Sequence, residues 1–286
     1  MSKEYLFQFY LVVFLDLLGQ KESLRRIKIL PAGNDGKAEF IDNIKQTLGK
    51  VLRIRKNVQH FFDGLHSHLP NVELVAPEKR DQFVASQKYE VSYYGLSDSI
   101  VVYVPLMSND ENCSAINGIY SSLVATSCIG LIALSEKMPI RGGIDVGIAA
   151  QIGEREIYGP ALERAIYLEN SIAEYPRFVI GDELLSYLEG VRDQKTTSIM
   201  GKIASEGANF CREMIIRDED NSYMLDFIGP KLMEAVGDTM NKEMVLAAYE
   251  FIKSEYSKYG TQDNKKLAPR YYKLLRYFEY RIDIWK

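Results

Sequence analysis

An unbroken apolar run, Phe9 to Leu15, stops at an acid, Asp16. A run of this length, rich in valine and aromatics, predicts a strand buried on both faces. Pro31 to Gly36 is a turn-rich break. From Ala38 to about Leu65 the pattern becomes helical and fairly polar, with Lys45, Lys50, Arg53, Arg55 and Lys56 along it, a run read as a solvated face. Tyr89–Tyr94 and Ile100–Val104 read as two strands joined at Gly95 to Asp98, a hairpin. A long helix is expected over about Ser114–Glu136, ending before Pro139. Ile140–Ala150 mixes β-branched residues with glycines, the pattern of a strand approached closely by backbone or ligand. Glu154–Gly159 is a further short strand. Pro160 suits the first turn of a helix, which Leu162, Ala165, Ile166, Glu169 and Ile172 continue at helical spacing. Arg177–Ile180 is a short apolar strand, and Asp182 is expected to cap the next helix.

The order is strand, two helices, hairpin, helix, two strands, helix, strand, helix. The adjacent strand pairs exclude a purely alternating doubly wound sheet and predict a mixed α+β layer fold. Beyond about Gly190 the chain changes character. A polar stretch, Asp193–Ser198, precedes an expected hairpin around Asp218–Asn221, then two helices, about Lys231–Tyr259 and Pro269–Ile284. The expected division is therefore 1–190 and a C-terminal hairpin and helical extension, 191–286.

Composition narrows the function classes. The chain has 286 residues, 47% of them hydrophobic, and a net charge of −4. That is enough for one large core, and the slight acidity argues against a nucleic-acid partner. Cys113, Cys128 and Cys211 are odd in number and scattered, which disfavours a disulfide framework or a cysteine zinc site. His60, His66 and His68 lack a surrounding ligand motif and are expected on a solvated surface. The apolar stretch Leu123–Leu134 is short and broken by Thr126, Ser127 and Gly130, so it is read as a buried helix rather than a membrane span. The run at Phe9 lacks the features of a signal peptide, and a cytoplasmic location is expected.

Asp16 and Asp98 are the residues with candidate chemistry. If the hairpin lies beside the first strand, both carboxylates sit at one end of a central sheet. Like charges held together raise each other's pKa, and a pair of divalent cations removes that cost. Mg²⁺ and similar hard cations take few carboxylates and leave positions for phosphate oxygens. Gly19, just after the strand, lets backbone N–H groups approach phosphates closely. From the residues alone, ordinary turn and cap roles for both acids stand equally.

Three blocks resemble class III nucleotidyl cyclases. "FLDLLGQ" resembles their first metal-binding strand, Phe-x-Asp-x-x-Gly-Phe. "GLSDSIVVY" resembles the hairpin that carries the second metal acid. "IRGGIDVGIAAQIGEREIYGPALERAIYLE" resembles their distal strand pair and helix, and the match runs from about Leu6 to Leu185. The resemblance implies a ferredoxin-like core, mixed and mainly antiparallel with helices, in a homodimer whose active sites form between protomers. It implies two divalent cations, Mn²⁺ or Mg²⁺, held by Asp16, Asp98 and the backbone carbonyl of Leu17. Asp16 and Asp98 are then the catalytic residues, and Leu17, Gly19, Tyr94, Glu156 and Arg164 the nucleotide-binding set. The family's purine-selecting lysine lands on Tyr94 and its second base-reading position on Glu156. Its transition-state asparagine lands on Glu163 and its arginine on Tyr167.

The whole-chain form, a standalone cyclase domain with an unusual purine site and a C-terminal extension, looks most like the bacterial Pycsar pyrimidine cyclases. Those convert UTP or CTP to a cyclic mononucleotide that activates an antiphage effector. The resemblance thus implies a uridylate or cytidylate cyclase, with UTP favoured because that group is mostly uridylate-forming. Arg164 adjoins Glu163, a position of the lost pair, but projects about 100° away from it on a helix; Lys21, Arg141 and Arg155 are the other candidates for the missing charge. Arg141 is read as serving the fold, since isolated charges in strands usually face solvent or a structural partner. A purine cyclase, a non-catalytic nucleotide sensor on the same fold, and a basic-aromatic nucleic-acid module at the C-terminus remain as alternatives.

Overall fold

The computed structural model describes residues 7–20, 24–25, 27–31, 36–66, 76–77, 80–81, 84, 88–107, 111–153, 156–237 and 240–285. The first strand, β1, spans Phe7–Leu17 and outruns the apolar stretch at both ends. Asp16 therefore lies inside the strand. Its backbone is paired on both sides, to Ser99 of β3 (Ser99–Pro105) and to Arg141 of β4 (Ile140–Ile152). β2 (Ser92–Leu96) pairs with β3 through a turn at Ser97 and Asp98, two residues long rather than the broader connection expected.

Between β1 and β2 come α1 (Lys37–Ile44), a π-helical turn (Lys45–Gly49) and α2 (Lys50–His66). Between β3 and β4 comes α3 (Cys113–Ser135). After β4, the short β5 (Glu156–Tyr158) leads into α4 (Pro160–Tyr167) and a second π-helical segment, Leu168–Ile172. β6 (Phe178–Ile180) and α5 (Asp182–Arg192) follow. The strand order is β2-β3-β1-β4-β6-β8-β7, with β5 also on β4; β6 runs parallel to β4 and the other pairings are antiparallel. The molecule is thus α+β with a mixed, mostly antiparallel sheet.

Each side of the sheet has its own core. Leu11, Val13 and Leu15 of β1 face the larger one, with Ile54, Val58 and Phe62 of α2 and most of α3. Tyr10, Val12 and Phe14 face a smaller one closed by Ala161 and Ala165 of α4. Helix α3 is apolar nearly all round, which suits a helix surrounded by protein. It is long and apolar enough to cross a membrane, yet 83% of its most apolar window is buried inside the protein. The Ser122 and Ser127 hydroxyls donate to the Gly118 and Leu123 carbonyls one turn back, at 2.7 and 2.9 Å, so neither polar group is orphaned by burial.

Helix α5 corrects one expectation. Its N-cap residue is Gly181, and Asp182 is already helical. The capping acceptor comes from β4: Asp145 Oδ1 takes the Leu184 amide at 2.9 Å and also its neighbour's, Val146. A helix invisible in the hydrophobic pattern, α6 (Ile199–Glu213), occupies the segment after the polar stretch. Its buried face is Gly201, Ala204, Ala208 and Cys211, residues too small to register as an apolar stripe. The single helix expected from Lys231 is two, α7 (Pro230–Val236) and α8 (Lys242–Thr261). Gly237, with φ at 51°, ends the first, and the Asn241 side chain caps the second by accepting from Met244 N at 3.0 Å. The last helix is α9 (Leu267–Glu279), closed by a 3₁₀ turn, Ile282–Trp285. Tyr271, Tyr277, Phe278 and Trp285 lie in the core.

Residue 190 marks a change in sequence character but no break in packing. The hairpin β7 (Ile215–Arg217) and β8 (Tyr223–Leu225) extends the central sheet through β6. Residues from α6, α8 and α9 share the large core with β1 and α3. Arg177, fully buried, ties the two parts together. Its Nη1 reaches Asp218 and Ser222 in the hairpin turn, and its Nη2 reaches Asp220 and the Ile172 carbonyl, the last at 2.7 Å.

This clamp has a pH signature. Burial pushes the Asp220 carboxyl up, but hydrogen bonds from Arg177 and Ser222 outweigh it and hold the group well below the usual carboxylate range. A carboxylate depressed by folding stabilises above its unfolded pKa and loses that contribution as pH falls toward the folded one. Asp220→Asn is therefore expected to flatten the fall in melting temperature between about pH 4 and pH 2 relative to wild type. Parallel melting curves for the two proteins across that range would contradict it.

Candidate functional site

The β1–β3 register brings the two sequence-singled acids to one end of the sheet. Asp16 stands opposite Ser99, the residue after Asp98. The Ser99 hydroxyl donates to Asp16 Oδ1 at 2.9 Å, and the Leu17 amide donates to the Asp98 carbonyl at 3.3 Å. Both acids are partly buried. The tight turn bears Ser97 at φ 56°, and Gly19 follows the strand at φ 84°, a conformation that favours glycine. Asp16, Leu17, Asp98 and Gly19 thus occupy one corner.

Two further charged residues reach that corner. Arg141 lies directly across from Asp16 on β4. Opposed residues in antiparallel strands point to the same face with their Cβ atoms about 5 Å apart. On that face lies the π segment after α4, in which only Glu169 is buried, at 1% exposure. Glu169 forms an ion pair with Arg141 Nε, and Arg141 Nη1 donates to the Ala173 carbonyl at 3.1 Å. Burial raises the Glu169 carboxyl above its ordinary range; Arg141 opposes the rise, and the charges of Asp16 and Asp98 add to it. The corner is therefore electronegative enough to disfavour a third nearby charge of the same sign.

Gly143 makes the close approach of Glu169 possible. A Cβ at this position would lie 2.1 Å from the Ala165 carbonyl and 2.9 Å from the Glu169 amide nitrogen, both backbone atoms that cannot turn aside. Gly143→Ala is expected to destabilise the fold by about 1–3 kcal/mol, the range for overpacking. An unchanged denaturant midpoint would show that α4 can ride outward at no cost.

The remaining expected nucleotide-binding residues are distributed differently. Arg164 is committed elsewhere: its Nε pairs with Asp145 at 2.9 Å and its Nη2 donates to the Val146 carbonyl at 2.5 Å. Asp145 is 2% exposed and accepts from two backbone amides besides, so Arg164 neutralises a buried cap. Tyr94 and Glu156 do come together. Tyr94 hydrogen-bonds the backbone of Ile157, and its hydroxyl is raised above its usual range chiefly by burial, with the nearby Glu156 charge adding to the rise. Glu163 and Tyr167 are exposed, one turn apart on α4. Lys21 and Arg155 lie outside the described residues, as does His68; His60 is exposed on α2 against Phe61.

Sequence reasoning missed two side chains. Glu169 was counted only as one position of an apolar helical stripe; a carboxylate on such a stripe was the signal. Arg55 was assigned to a solvated face. It lies against Gly95, where a Cβ would be 2.2 Å from the guanidinium carbon, and its Nη2 donates to the Ser97 carbonyl at 2.7 Å. Arg55 thus braces the turn that carries Asp98. Beside it, a cleft of about 500 Å³ opens between α2 and β2, lined by Lys56, Gln59, Tyr93 and Tyr94 among others.

No family model matches the chain. No curated protein matches it either. The chemistry of the corner rests on its geometry: one carboxylate on β1, oriented by the Ser99 hydroxyl, and a second in the adjoining β2–β3 turn. Among the described residues no three His, Cys, Asp or Glu side chains converge on one point, so any cation there would draw on backbone, water or ligand oxygens as well. Hard divalent cations accept such mixed oxygen sets. Two carboxylates with backbone oxygens beside them are the donor chemistry of such an ion, so the residues present fit Mg²⁺ or Mn²⁺.

Proposed function

We propose that this chain is a nucleotidyl cyclase of the class III type, with a ferredoxin-like core formed by β1 to β4 and the helices between them. Its substrate is a pyrimidine nucleoside triphosphate, UTP favoured over CTP, and its products are the 3′,5′-cyclic mononucleotide and pyrophosphate. The observation that carries this reading is the register that sets Asp16 against Ser99, and so beside Asp98, at the sheet end next to Gly19. Two cations bound there supply Lewis acidity toward the ribose 3′-hydroxyl and the α-phosphate. Asp16, oriented by Ser99, and Asp98, held by the β2–β3 turn, carry the charge that binds them, with the Leu17 carbonyl as a neutral donor. In the reaction the 3′-oxygen bonds to the α-phosphorus, its proton passes to water, and the bond to the β-phosphate bridging oxygen breaks.

The base site supports a non-purine substrate. Tyr94 replaces the lysine of purine cyclases, and its ring and the Glu156 carboxylate stand together. A dimer is supported by apolar residues left uncovered around β1, β4 and α4: Phe7, Phe9, Ile148, Ile152, Tyr158 and Tyr167 are all exposed. Glu163 and Tyr167, both exposed on α4, would face such a partner. A cytoplasmic signal producer in antiphage defence is the corresponding role.

The test is incubation of the purified protein with each of the four NTPs and Mn²⁺. Cyclic UMP or cyclic CMP with equimolar pyrophosphate is the expected result. No cyclic product from any NTP sinks the enzyme reading and favours a nucleotide sensor. Product from ATP or GTP alone sinks the pyrimidine reading.

A further inference from the structure

Arg141 presents a problem for any cation at Asp16. Register places the two residues side by side on one face of the sheet. An arginine there is a built-in competitor, a permanent cation with geometry suited to a carboxylate. Yet its guanidinium is turned to Glu169 and to the Ala173 carbonyl, both from the π segment and the residue after it. Glu169 is brought there by three features: the bare backbone of Gly143, the π turn that buries this one position, and the Arg177 bond to the Ile172 carbonyl. Much local structure thus converges on an ion pair that directs the Arg141 guanidinium to Glu169 and the Ala173 carbonyl.

We propose that Glu169 is a positioning residue that holds Arg141 away from Asp16 and so keeps the corner able to take divalent cations. The inference rests on the metal-binding reading above. Removing the Glu169 charge has two consequences. Arg141 loses its partner and turns to Asp16, its cross-strand neighbour on the same face. The corner also loses one negative charge while keeping the positive one. Both lower the affinity for a divalent cation. Removing Arg141 along with Glu169 deletes competitor and restraint together, so affinity returns.

The experiment is direct titration of Mn²⁺ into the nucleotide-free protein, read by the Mn²⁺ electron paramagnetic resonance signal. Circular dichroism and melting temperature are followed for each variant. Glu169→Gln, nearly isosteric, is expected to weaken Mn²⁺ binding at least about tenfold, near the 1.4 kcal/mol that factor represents. The double variant R141Q/E169Q is expected to return to within about threefold of wild type, and Arg141→Gln alone to bind no more weakly than that. A role confined to the fold predicts the opposite order, with the double variant no better than the single. Wild-type affinity in E169Q, or no recovery in the double variant, overturns the inference and leaves the metal reading standing. Weakened binding in R141Q overturns it as well, and remains decisive if E169Q fails to fold. Absence of Mn²⁺ binding in wild type overturns the metal reading and this inference together.

Discussion

Replacing Asp16 and Asp98 together by alanine is expected to reduce cyclic nucleotide formation by at least about a thousandfold, because two-cation catalysis supplies several kcal/mol of the barrier lowering. Each single Asp→Asn variant is expected to fall nearly as far, since ligands acting as a unit are not additive. The asparagine at position 16 still accepts from Ser99, so the corner keeps its shape while losing a charge. Unchanged circular dichroism together with lost turnover is therefore the expected pattern, measured with UTP and with CTP at saturating Mn²⁺. Turnover within tenfold of wild type in the double variant would mean that the cations, if the reaction needs them, bind elsewhere.

The second large effect falls far from that corner. Arg177→Met is expected to destabilise the protein by about 3–5 kcal/mol, the cost of breaking a buried ion pair by removing one partner. Methionine fills much of the volume but leaves Asp218 and Asp220 facing each other without a cation. It leaves the Tyr175 hydroxyl, 2.6 Å away, among the few remaining donors to Asp218 and frees the Ile172 carbonyl. Against a typical total stability of about 5–15 kcal/mol, that is a large fraction. A shift of the urea midpoint equivalent to less than about 1 kcal/mol would show that the hairpin is held by its strand pairing instead.

The elements that position the site were readable because their patterns are strong. The unbroken run before Asp16 can only be a covered strand, and the glycine-rich β4 announced a close approach that Gly143 makes to α4. What could not be read were contacts made across the fold. Asp145 caps a helix 39 residues away, so no local motif announces it, and Asp182 looked like the cap in its place. Arg164 was assigned toward nucleotide because its buried partner is invisible in one dimension. Helix α6 was missed because glycine, alanines and cysteine carry its buried face. Glu169 shows the same limit at the site itself: its meaning depends on Arg141, and that pairing exists only once the sheet is formed.

The order in which this chain leaves the ribosome matters for the hairpin joined to β6. The carboxylates and the hydroxyl that fix Arg177, and through it the end of the π segment, come from Asp218, Asp220 and Ser222. β6 is only three residues long, and its free edge is covered by β8. A nascent chain emitted as far as residue 190 thus holds both carboxylates of the corner but exposes an apolar sheet edge, a state prone to misassociate. The corner that holds Asp16 and Asp98 and the C-terminal third share one sheet and one core, so the first 190 residues emerge without the strand and helices that cover them.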